Sequence, residues 1–337
     1  MSNDILQVMT TAMGVLVVGL VWADFIATVM TASATGTFAR RFSHFVRRWF
    51  RAVSRITRSH NVLAASGPCI TILLLVAWFG LAWIGWSLIY LGTDGSVIGS
   101  TTRLPADAAQ TIYFVGFALT TLGTGDYIPG NGPWAVLSVL VAFNGLALIT
   151  LAITYAIPVV QAAAEKRTVS VRFALWGATR QRVLAQLDHE GAYQAFHDHL
   201  AAAASELIDV TQKHMSYPIL HFFHSPAERA SLSVQIAILD ETIRALPDTA
   251  FEKEPKLQIS VVHCARGITE FLTTLNGVFV TPSDESPPPA QPERPDSIAV
   301  RLVTAHSDMD LVKRRKLLKA LVEEDGWTWE TVSDPDG

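Results

Sequence analysis

A run of threonines and glycines between two long apolar segments has the residue types suited to holding a dehydrated cation. Its sequence is Thr120-Thr121-Leu122-Gly123-Thr124-Gly125-Asp126. A cation without its water shell needs replacement oxygens, and backbone carbonyls supply them when successive peptides point inward. That backbone is costly for residues with a Cβ, so the alternating Gly123 and Gly125 fit it. The Thr121 hydroxyl can add a further ligand at the start of the run, its inner mouth. Asp126 places a carboxylate at the other end, its outer mouth.

Three apolar runs are long enough to hold this segment in a membrane. They cover about residues 5–30, 67–91 and 134–160, and a helix needs about 20 residues to cross the hydrocarbon core. Only 17% of the 337 residues are charged, against about 25% in soluble domains. Residues 1–163 contain neither Lys nor Glu, which excludes a simple cytosolic enzyme. The first run could be a secretory signal, but its long apolar core without a basic leader favours a retained helix.

The charges on the connecting segments predict the orientation. Arginines crowd the segment between the first two runs: Arg40, Arg41, Arg47, Arg48, Arg51, Arg55 and Arg58. Positive flanks mark the cytoplasmic side, whereas the next connection carries Asp94, Asp107 and Asp126. We therefore expect a multi-pass protein of the cell membrane with its C-terminal half in the cytoplasm. The net charge of −4 gives no support for binding nucleic acid.

The arginine-rich segment also has an amphipathic pattern. Its apolar residues recur at helical spacing: Phe38, Phe42, Phe45, Val46, Trp49, Phe50, Val53 and Ile56. This predicts a helix in the inner interface, with rings at the acyl boundary. Anionic lipid head groups would then bind Arg40, Arg41, Arg47, Arg48 and Arg51. A solvated linker is the alternative. Asp24, within the first run, could face a protein interior or a wet cavity, but its place near the inner end favours contact with water.

The region around the glycine run resembles a known family. A short helical stretch, residues 105–120, carries Tyr113, Phe114 and Phe117 and leads directly into the run. Together with the two flanking apolar runs, about residues 67–163, this is similar to the pore of potassium channels, the two-helix pore-loop ion channels of bacterial type. The resemblance implies an outer helix, a pore helix, a filter and an inner helix. It also implies that Thr121, Leu122, Gly123, Thr124 and Gly125 bind potassium ions, with no other metal or cofactor.

The resemblance implies further roles along the inner helix and in assembly. Gly145 corresponds to a hinge glycine, and Ile149, Ile153 and Ile157 correspond to cavity and gate positions. Pro158 would kink the helix near its inner end. Gly145 could equally serve close helix packing, and the isoleucines could face lipid. Because each chain has one filter segment, a ring of carbonyls requires several chains, and the family makes a homotetramer the expected assembly.

Thr124 stands where the family usually has an aromatic residue that packs against pore-helix aromatics. We expect the outer filter to be less braced, since Thr124 cannot make ring contacts with Tyr113 and Phe114. The function that we expect is a channel for monovalent cations, with potassium as the preferred ion. The alternatives are a weakly selective cation channel and a non-conducting membrane sensor or scaffold with a pore-like core. Nothing in the sequence indicates an enzyme.

The expected fold class is therefore an all-α membrane protein, a tetrameric pore-loop channel with an extra N-terminal helix and an all-helical cytoplasmic domain. The sequence divides into these segments: 1–35, an N-terminal transmembrane helix; 36–62, a basic amphipathic interfacial helix; 63–165, the pore domain; 166–280, a helical cytoplasmic domain; 281–297, a Pro-rich linker; and 298–337, a C-terminal helical tail.

The cytoplasmic segment is predicted to contain helices at about 169–185, 189–214, 226–246 and 256–276, the third begun by a capping box at Ser225. Histidines concentrate there, and His221 and His224 have a spacing usable for a metal. We expect most of them to lie on helix surfaces, with pH sensing as an alternative.

Overall fold

The computed structural model describes residues 2–30, 36–288, 296–307 and 309–333. Parts of three predicted segments lie outside the described residues: 1 and 31–35 of the first, 289–295 of the Pro-rich linker, and 308 and 334–337 of the tail. The chain forms two compact units. The first contains residues up to 46 together with 68–158, and the second contains 47–67 together with 159–337.

Long apolar helices make up most of the first unit. Its elements, some of which continue into the second unit, are α1 (Ser2–Val29), α2 (Thr37–Thr57), α4 (Ser66–Leu91), β1 (Val97–Gly99), α5 (Ala108–Leu119), β2 (Tyr127–Pro129) and α6 (Gly132–Phe173). A short helix, α3 (His60–Ala64), precedes α4. Three stretches are long and apolar enough to cross a membrane, namely Asp4–Val29, His60–Leu91 and Gly132–Trp176. They contain the three spans predicted from the sequence.

Helices α1 and α4 run antiparallel to each other. The amide of Gln7 donates to the Asp94 carboxylate at 3.1 Å near one end, and the indole of Trp78 donates to Asp24 at 2.9 Å near the other. Between them, a Cβ on Gly14 would collide with the backbone of α4 at Gly85. Small residues allow helix backbones to approach this closely in a membrane. The N-terminal end of α1 therefore lies on the same side as the segment that leads into the pore helix.

The Asp24 carboxylate has protein partners, which corrects the expectation that it simply reaches water. Besides Trp78, it accepts the backbone N–H of Phe38 at 2.8 Å and that of Ala39 at 3.1 Å. These are among the first N–H groups of α2, which have no partner within their own helix. Asp24 therefore caps α2 from a different helix and joins α1, α2 and α4.

A two-stranded antiparallel sheet adds to the predicted all-α class. Strand β1 pairs with β2 in the register Val97↔Pro129, Ile98↔Ile128 and Gly99↔Tyr127. The Ser96 hydroxyl donates to the Tyr90 carbonyl at 2.7 Å, and the Ser96 carbonyl accepts the Gly130 N–H at 2.9 Å. The sheet thus ties the end of α4 to the chain that follows the glycine run. Its strands of three residues are too short for an alternating pattern to be recognised in the sequence.

Helices pack around a large apolar core in the second unit. They are α7 (Arg180–Gln186), α8 (Ala192–Ser216), α9 (Leu232–Arg244), α10 (Asp248–Lys253), α11 (Leu257–Leu275), α12 (Ile298–Ala305) and α13 (Leu311–Glu324). Every residue of α9 is buried, including charged ones. The Asp240 carboxylate lies 2.6 Å from Arg314 of α13 and 3.1 Å from Arg244, and Glu241 lies 3.2 Å from Arg315. Burial of these charges is tolerated because each has an opposite partner.

Three predicted helices of this unit have different limits. The capping box at Ser225 is wrong: its hydroxyl is buried without a hydrogen-bond partner among the described residues, and α9 begins only at Leu232. The helix predicted at 169–185 is interrupted at Gly177, whose φ is +145°. The helical tail predicted at 298–337 contains two helices, α12 and α13, and the Asp310 side chain caps the start of the second by accepting the N–H of Lys313 at 2.9 Å.

The Asp24 contacts predict a loss of stability in Asp24→Ala. Hydrogen bonds to a charged group contribute about 1.5–3 kcal/mol each, and the variant loses all of them in a half-buried site. We expect the free energy of unfolding to fall by about 3 kcal/mol, measured by denaturant titration of the purified protein in detergent. Asp24→Asn keeps one acceptor oxygen and should lose clearly less. Equal stability of Asp24→Ala and the unmodified protein would contradict the capping role.

Candidate functional site

The helix α5 leads into the glycine run and is fixed at its start by a reciprocal cap. The Asp107 carboxylate accepts the N–H of Gln110 at 2.8 Å, and the Gln110 side chain accepts the N–H of Asp107 at 2.9 Å. The helix ends at Leu119, close to the predicted end. Carbonyl groups at a helix C-terminus carry partial negative charge. The C-terminal end of α5 therefore favours a cation next to the run that follows it.

The pore helix is held by aromatic packing on its buried side. Phe114, Phe117 and Leu119 are buried in a cluster with Tyr90 of α4 and Val141 of α6. The rings of Phe114 and Phe117 meet edge to face at 5.1 Å. Phe117 therefore fills apolar space behind the run, which explains why an apolar residue suits this position.

Every second residue of the glycine run has a positive φ. Thr121, Gly123 and Gly125 have φ values of +57°, +60° and +83°, whereas Leu122 and Thr124 between them are not in the positive-φ region. A Cβ on Gly123 or Gly125 would meet open space, so glycine is needed for its conformation and not for room. Thr121 adopts this region at a cost of about 1–2 kcal/mol.

The carbonyls of this run are free to bind a ligand. Residues 120–126 are exposed in the single chain, and Leu122 is 67% exposed. Across residues 2–30, 36–288, 296–307 and 309–333, no group donates a hydrogen bond to the carbonyl oxygens of Thr121, Leu122, Gly123 or Thr124. Backbone polar groups at membrane depth are tolerated only in protein or beside water and ions. These four carbonyls are therefore available to a ligand from outside the described chain.

The Thr124 side chain is braced by a hydrogen bond where a ring contact was expected to be lost. The Tyr113 hydroxyl donates to the Thr124 hydroxyl at 3.2 Å, and the Tyr113 ring packs edge to face on Phe117 at 5.3 Å. Hydrogen bonding from Thr124 holds the pKa of Asp126 below its usual value. Hydrogen bonds thus link the hydroxyls of Tyr113 and Thr124 to the carboxylate of Asp126 at the end of the glycine run. In the sequence, the only indication of this contact was a tyrosine eleven positions before the threonine.

The predicted hinge glycine lies in a close helix contact. A Cβ on Gly145 would collide with the carbonyl of Leu119, at the end of α5. Helix α6 is continuous through Gly145 and through Pro158, and extends to Phe173. The structure therefore gives Gly145 the packing role that the sequence left open, since it lets the inner helix pass directly behind the glycine run.

The predicted gate isoleucines lie on an exposed stripe of α6. Ile149, Ile153 and Ile157 are 42%, 55% and 54% exposed in the single chain. The first two line an apolar cavity of about 330 Å³ together with Phe25 of α1 and Trp78 of α4. The stripe is thus available to a neighbouring helix, to lipid or to a water-filled cavity.

Two predicted surface histidines, His221 and His224, are buried, which corrects that expectation. The His221 ring stacks on Phe279 at 4.7 Å, and His224 lies 3.7 Å from the Asp325 carboxylate. In the described part of the chain, no three His, Cys, Asp or Glu side chains converge as a metal site.

Comparison with known proteins agrees with an ion channel, the class of protein that a glycine run between two apolar helices indicates. Residues 72–162 match the family described as "Ion channel", which confirms the resemblance to two-helix pore-loop ion channels over this part of the chain. The chain is also similar to "Uncharacterized membrane protein YdjJ" of Bacillus subtilis (strain 168), with 29% identity over 331 residues that cover 91% of each protein. No solved structure matches the chain. These findings support an ion channel in a membrane.

The hydroxyl brace predicts that Tyr113→Phe weakens ion discrimination. The variant keeps the ring packed on Phe117 but removes a hydrogen bond contributing about 1 kcal/mol. We expect the ratio of potassium to sodium flux to fall by about fivefold, since 1.4 kcal/mol is a factor of ten. Thr124→Val should have a similar effect, whereas Thr124→Ser, which keeps the hydroxyl, should retain the ratio. An unaltered ratio of potassium to sodium flux in Tyr113→Phe would show that this hydrogen bond does not support ion discrimination.

Proposed function

We propose that four copies of this chain form a channel for monovalent cations, with potassium as the preferred ion. The observation that carries the proposal is the alternating backbone of Thr121, Gly123 and Gly125, whose neighbouring carbonyls have no partner in the described protein. Rings of such carbonyls replace the hydration shell of a cation. Thr121, Leu122, Gly123, Thr124 and Gly125 would form the filter. Asp126 would attract cations to its outer mouth.

The tetramer follows from the number of filter segments per chain. One loop supplies ligands from one side only, so a closed ring needs several chains around an axis. The resemblance to potassium channels favours four. Exposed apolar residues on the same unit, among them Leu122 and Ile153, support an assembly in which other copies cover them. A non-conducting sensor or scaffold would leave the strained Thr121 backbone without a use.

Potassium preference is supported by the inner part of the filter and by the brace behind its outer part. The three inner positions Thr121, Leu122 and Gly123 fit the family pattern. At the fourth position, the Tyr113–Thr124 hydrogen bond restrains a side chain that lacks an aromatic ring. A weakly selective cation channel is the second candidate, favoured by the 40% exposure of Tyr113 in the single chain, since water could compete for its hydroxyl.

We place the gate at the inner end of α6 and the second unit in the cytoplasm. An apolar ring of Ile149, Ile153 and Ile157 could close the path by dewetting. Pro158 lies within α6 directly after them, where its missing N–H weakens the helix. The arginines of α2 support a cytoplasmic location for the second unit, because positive residues near the ends of membrane spans mark the cytoplasmic side.

Anionic lipids are the proposed partners of α2. Phe45 and Trp49 are 70% and 59% exposed, and Arg40, Arg41 and Arg48 are exposed as well. An interfacial helix would place such rings in the acyl boundary and such arginines at head groups. The other two arginines predicted to bind lipid have protein partners. Arg47 donates to the Ser66 hydroxyl at 2.6 Å, and Arg51 donates to the Glu324 carbonyl at 2.7 Å.

Flux through liposomes tests the proposed function. Purified protein should carry potassium down a gradient faster than sodium, and both Gly123→Ala and Gly125→Ala should reduce this flux about tenfold or more. Each adds a Cβ at a positive φ, which costs about 1–2 kcal/mol in every chain of the assembly. Gly80→Ala is the matched control, because a Cβ there meets open space in a regular helix. Unchanged flux and selectivity in both filter variants would refute the filter assignment.

The gate assignment predicts that Ile153→Ser raises the resting leak several-fold. A hydroxyl in an apolar constriction favours water there, and water admits ions. Leu140→Ser serves as the control, since Leu140 is similarly exposed, at 51%, but lies in the outer half of α6. Equal leak in the two variants, measured by flux without any stimulus, would place Ile153 outside the gate.

A further inference from the structure

Three consecutive residues of the second unit each hold a different segment that leads to the pore. The carbonyl of Phe222 accepts the hydroxyl of Ser66, the first residue of α4, at 3.2 Å. The carbonyl of Phe223 accepts the ammonium of Lys166, on the C-terminal part of α6, at 3.0 Å. The imidazole of His224 meets that of His60, at the start of α3, at 3.3 Å. The segment 222–224 therefore fastens α3, α4 and α6 at one place.

The C-terminal end of α13 reinforces this fastening with two neighbouring acidic residues. The Glu324 carbonyl accepts Arg47 and Arg51, at 3.2 Å and 2.7 Å, and its carboxylate lies 3.7 Å from His221. The Asp325 carboxylate accepts the Ser233 hydroxyl at 2.6 Å. Cationic side chains at the C-terminus of a helix are favoured by its dipole. Helix α13 thus binds α2 and the residues that flank the segment 222–224.

Both carboxylates remain ionised when the medium becomes mildly acidic. Burial alone would raise the pKa of Asp325, but His224 and Lys166 bring it below its usual value. Burial likewise opposes ionisation of Glu324, yet His221 and Arg51 lower its pKa overall. A carboxylate with a lowered pKa stabilises the fold above its ordinary range and loses that effect only as the pH falls through the lowered value. A change between pH 7.5 and 5.5 must therefore come from other groups.

The contact between His60 and His224 is the group that can change in that range. A hydrogen bond between two imidazole nitrogens requires one donor and one acceptor, so at least one facing nitrogen must lack a proton. If both facing nitrogens were protonated, two donors and two positive charges would oppose each other. His60 is half-buried and can exchange protons with solvent, while Trp327 covers one face of its ring at 4.0 Å.

The other charged groups around His60 and His224 decide how much positive charge the pair can carry. Glu228 lies near His60, and Asp325 near His224, so a single positive charge on the pair is tolerated. His214 on α8 faces Lys166 and His221, and burial keeps its pKa well below the usual value. His221 has its own acidic partner, Glu324, at 3.7 Å.

We propose that His60, His224 and the segment 222–224 form a proton-sensitive clasp that controls the pore. The proposal rests on the proposed channel function, since its consequence is a change in ion flux. At neutral pH the clasp holds α3, the start of α4 and the C-terminal part of α6. Burial and the neighbouring His224 lower the pKa of His60, so a second proton binds to the pair only in acidic medium and then separates α3 from His224. Helix α3, which leads into α4, is then no longer held by His224, and the clasp is reduced to the hydrogen bonds from Ser66 and Lys166.

The first test is the pH dependence of flux in liposomes that contain the full chain. Between pH 7.5 and 5.5 we expect the flux of the unmodified protein to change about threefold or more, the fold-change that corresponds to half a pKa unit of coupling. His60→Asn keeps a side-chain donor for His224 but does not titrate, so its flux should be nearly independent of pH. His263→Asn removes an exposed histidine outside the clasp and should behave like the unmodified protein.

The second test does not depend on conduction. Hydrogen exchange of the amides in 60–66 and 218–224, corrected for its intrinsic pH dependence, should show about threefold less protection at pH 5.5 in the unmodified protein and in His263→Asn. Protection in His60→Asn should stay constant. Flux that is independent of pH, or exchange that changes equally in His60→Asn, overturns the clasp. If His60→Asn does not fold, constant protection in the unmodified protein still overturns it. A pH-dependent exchange without any flux would instead refute the channel and leave the clasp standing.

Discussion

The first unit depends on the backbone carbonyls of residues 121–124, which have no hydrogen-bond partner in the part of the chain that the structure describes. A membrane offers no water to satisfy such groups, so a loop at that depth must be supported by protein and must bind water or ions. Here the support consists of a capped α5 that ends at the loop, an aromatic cluster behind it, and α6, which passes so closely that Gly145 cannot carry a side chain. The sheet between β1 and β2 fixes the chain after the loop. Each of these contacts helps to offset the cost of a strained backbone.

The second unit meets a related constraint with charged side chains. Its buried acids and arginines are paired, as in Asp240 with Arg314, because an unpaired charge in an apolar core is costly. At the segment 222–224, however, the pairing involves histidines, and histidine is the side chain that changes charge near neutral pH. The paired charges that stabilise the second unit and the candidate switch at 222–224 thus consist of the same kind of contact between polar side chains. They differ in whether the partners can gain a proton under mild conditions.

Several interactions join residues that are distant in sequence, and these were the ones that the sequence could not predict. Asp24 was expected to reach water, yet its partners lie on α2 and α4. Ser225 has the pattern of a helix cap, but α9 begins seven residues later, at Leu232. The histidines that were expected on surfaces include His221 and His224, which are buried by α13 and by aromatic rings. In each case a local pattern was outweighed by a contact whose partner no local pattern identifies.

The amino-acid sequence by itself determined the three spans, the position of α5 and the glycine run. These depend on the length of apolar runs and on the conformational freedom of glycine, both of which are local properties. The tertiary structure decided how the run is supported. It showed that Tyr113 reaches Thr124 with a hydroxyl instead of a ring, that Gly145 serves close packing, and that Arg47 donates to Ser66 inside the protein. The physical reason is that a hydrogen bond or close contact depends on the relative position of two side chains, and only the folded chain fixes that position.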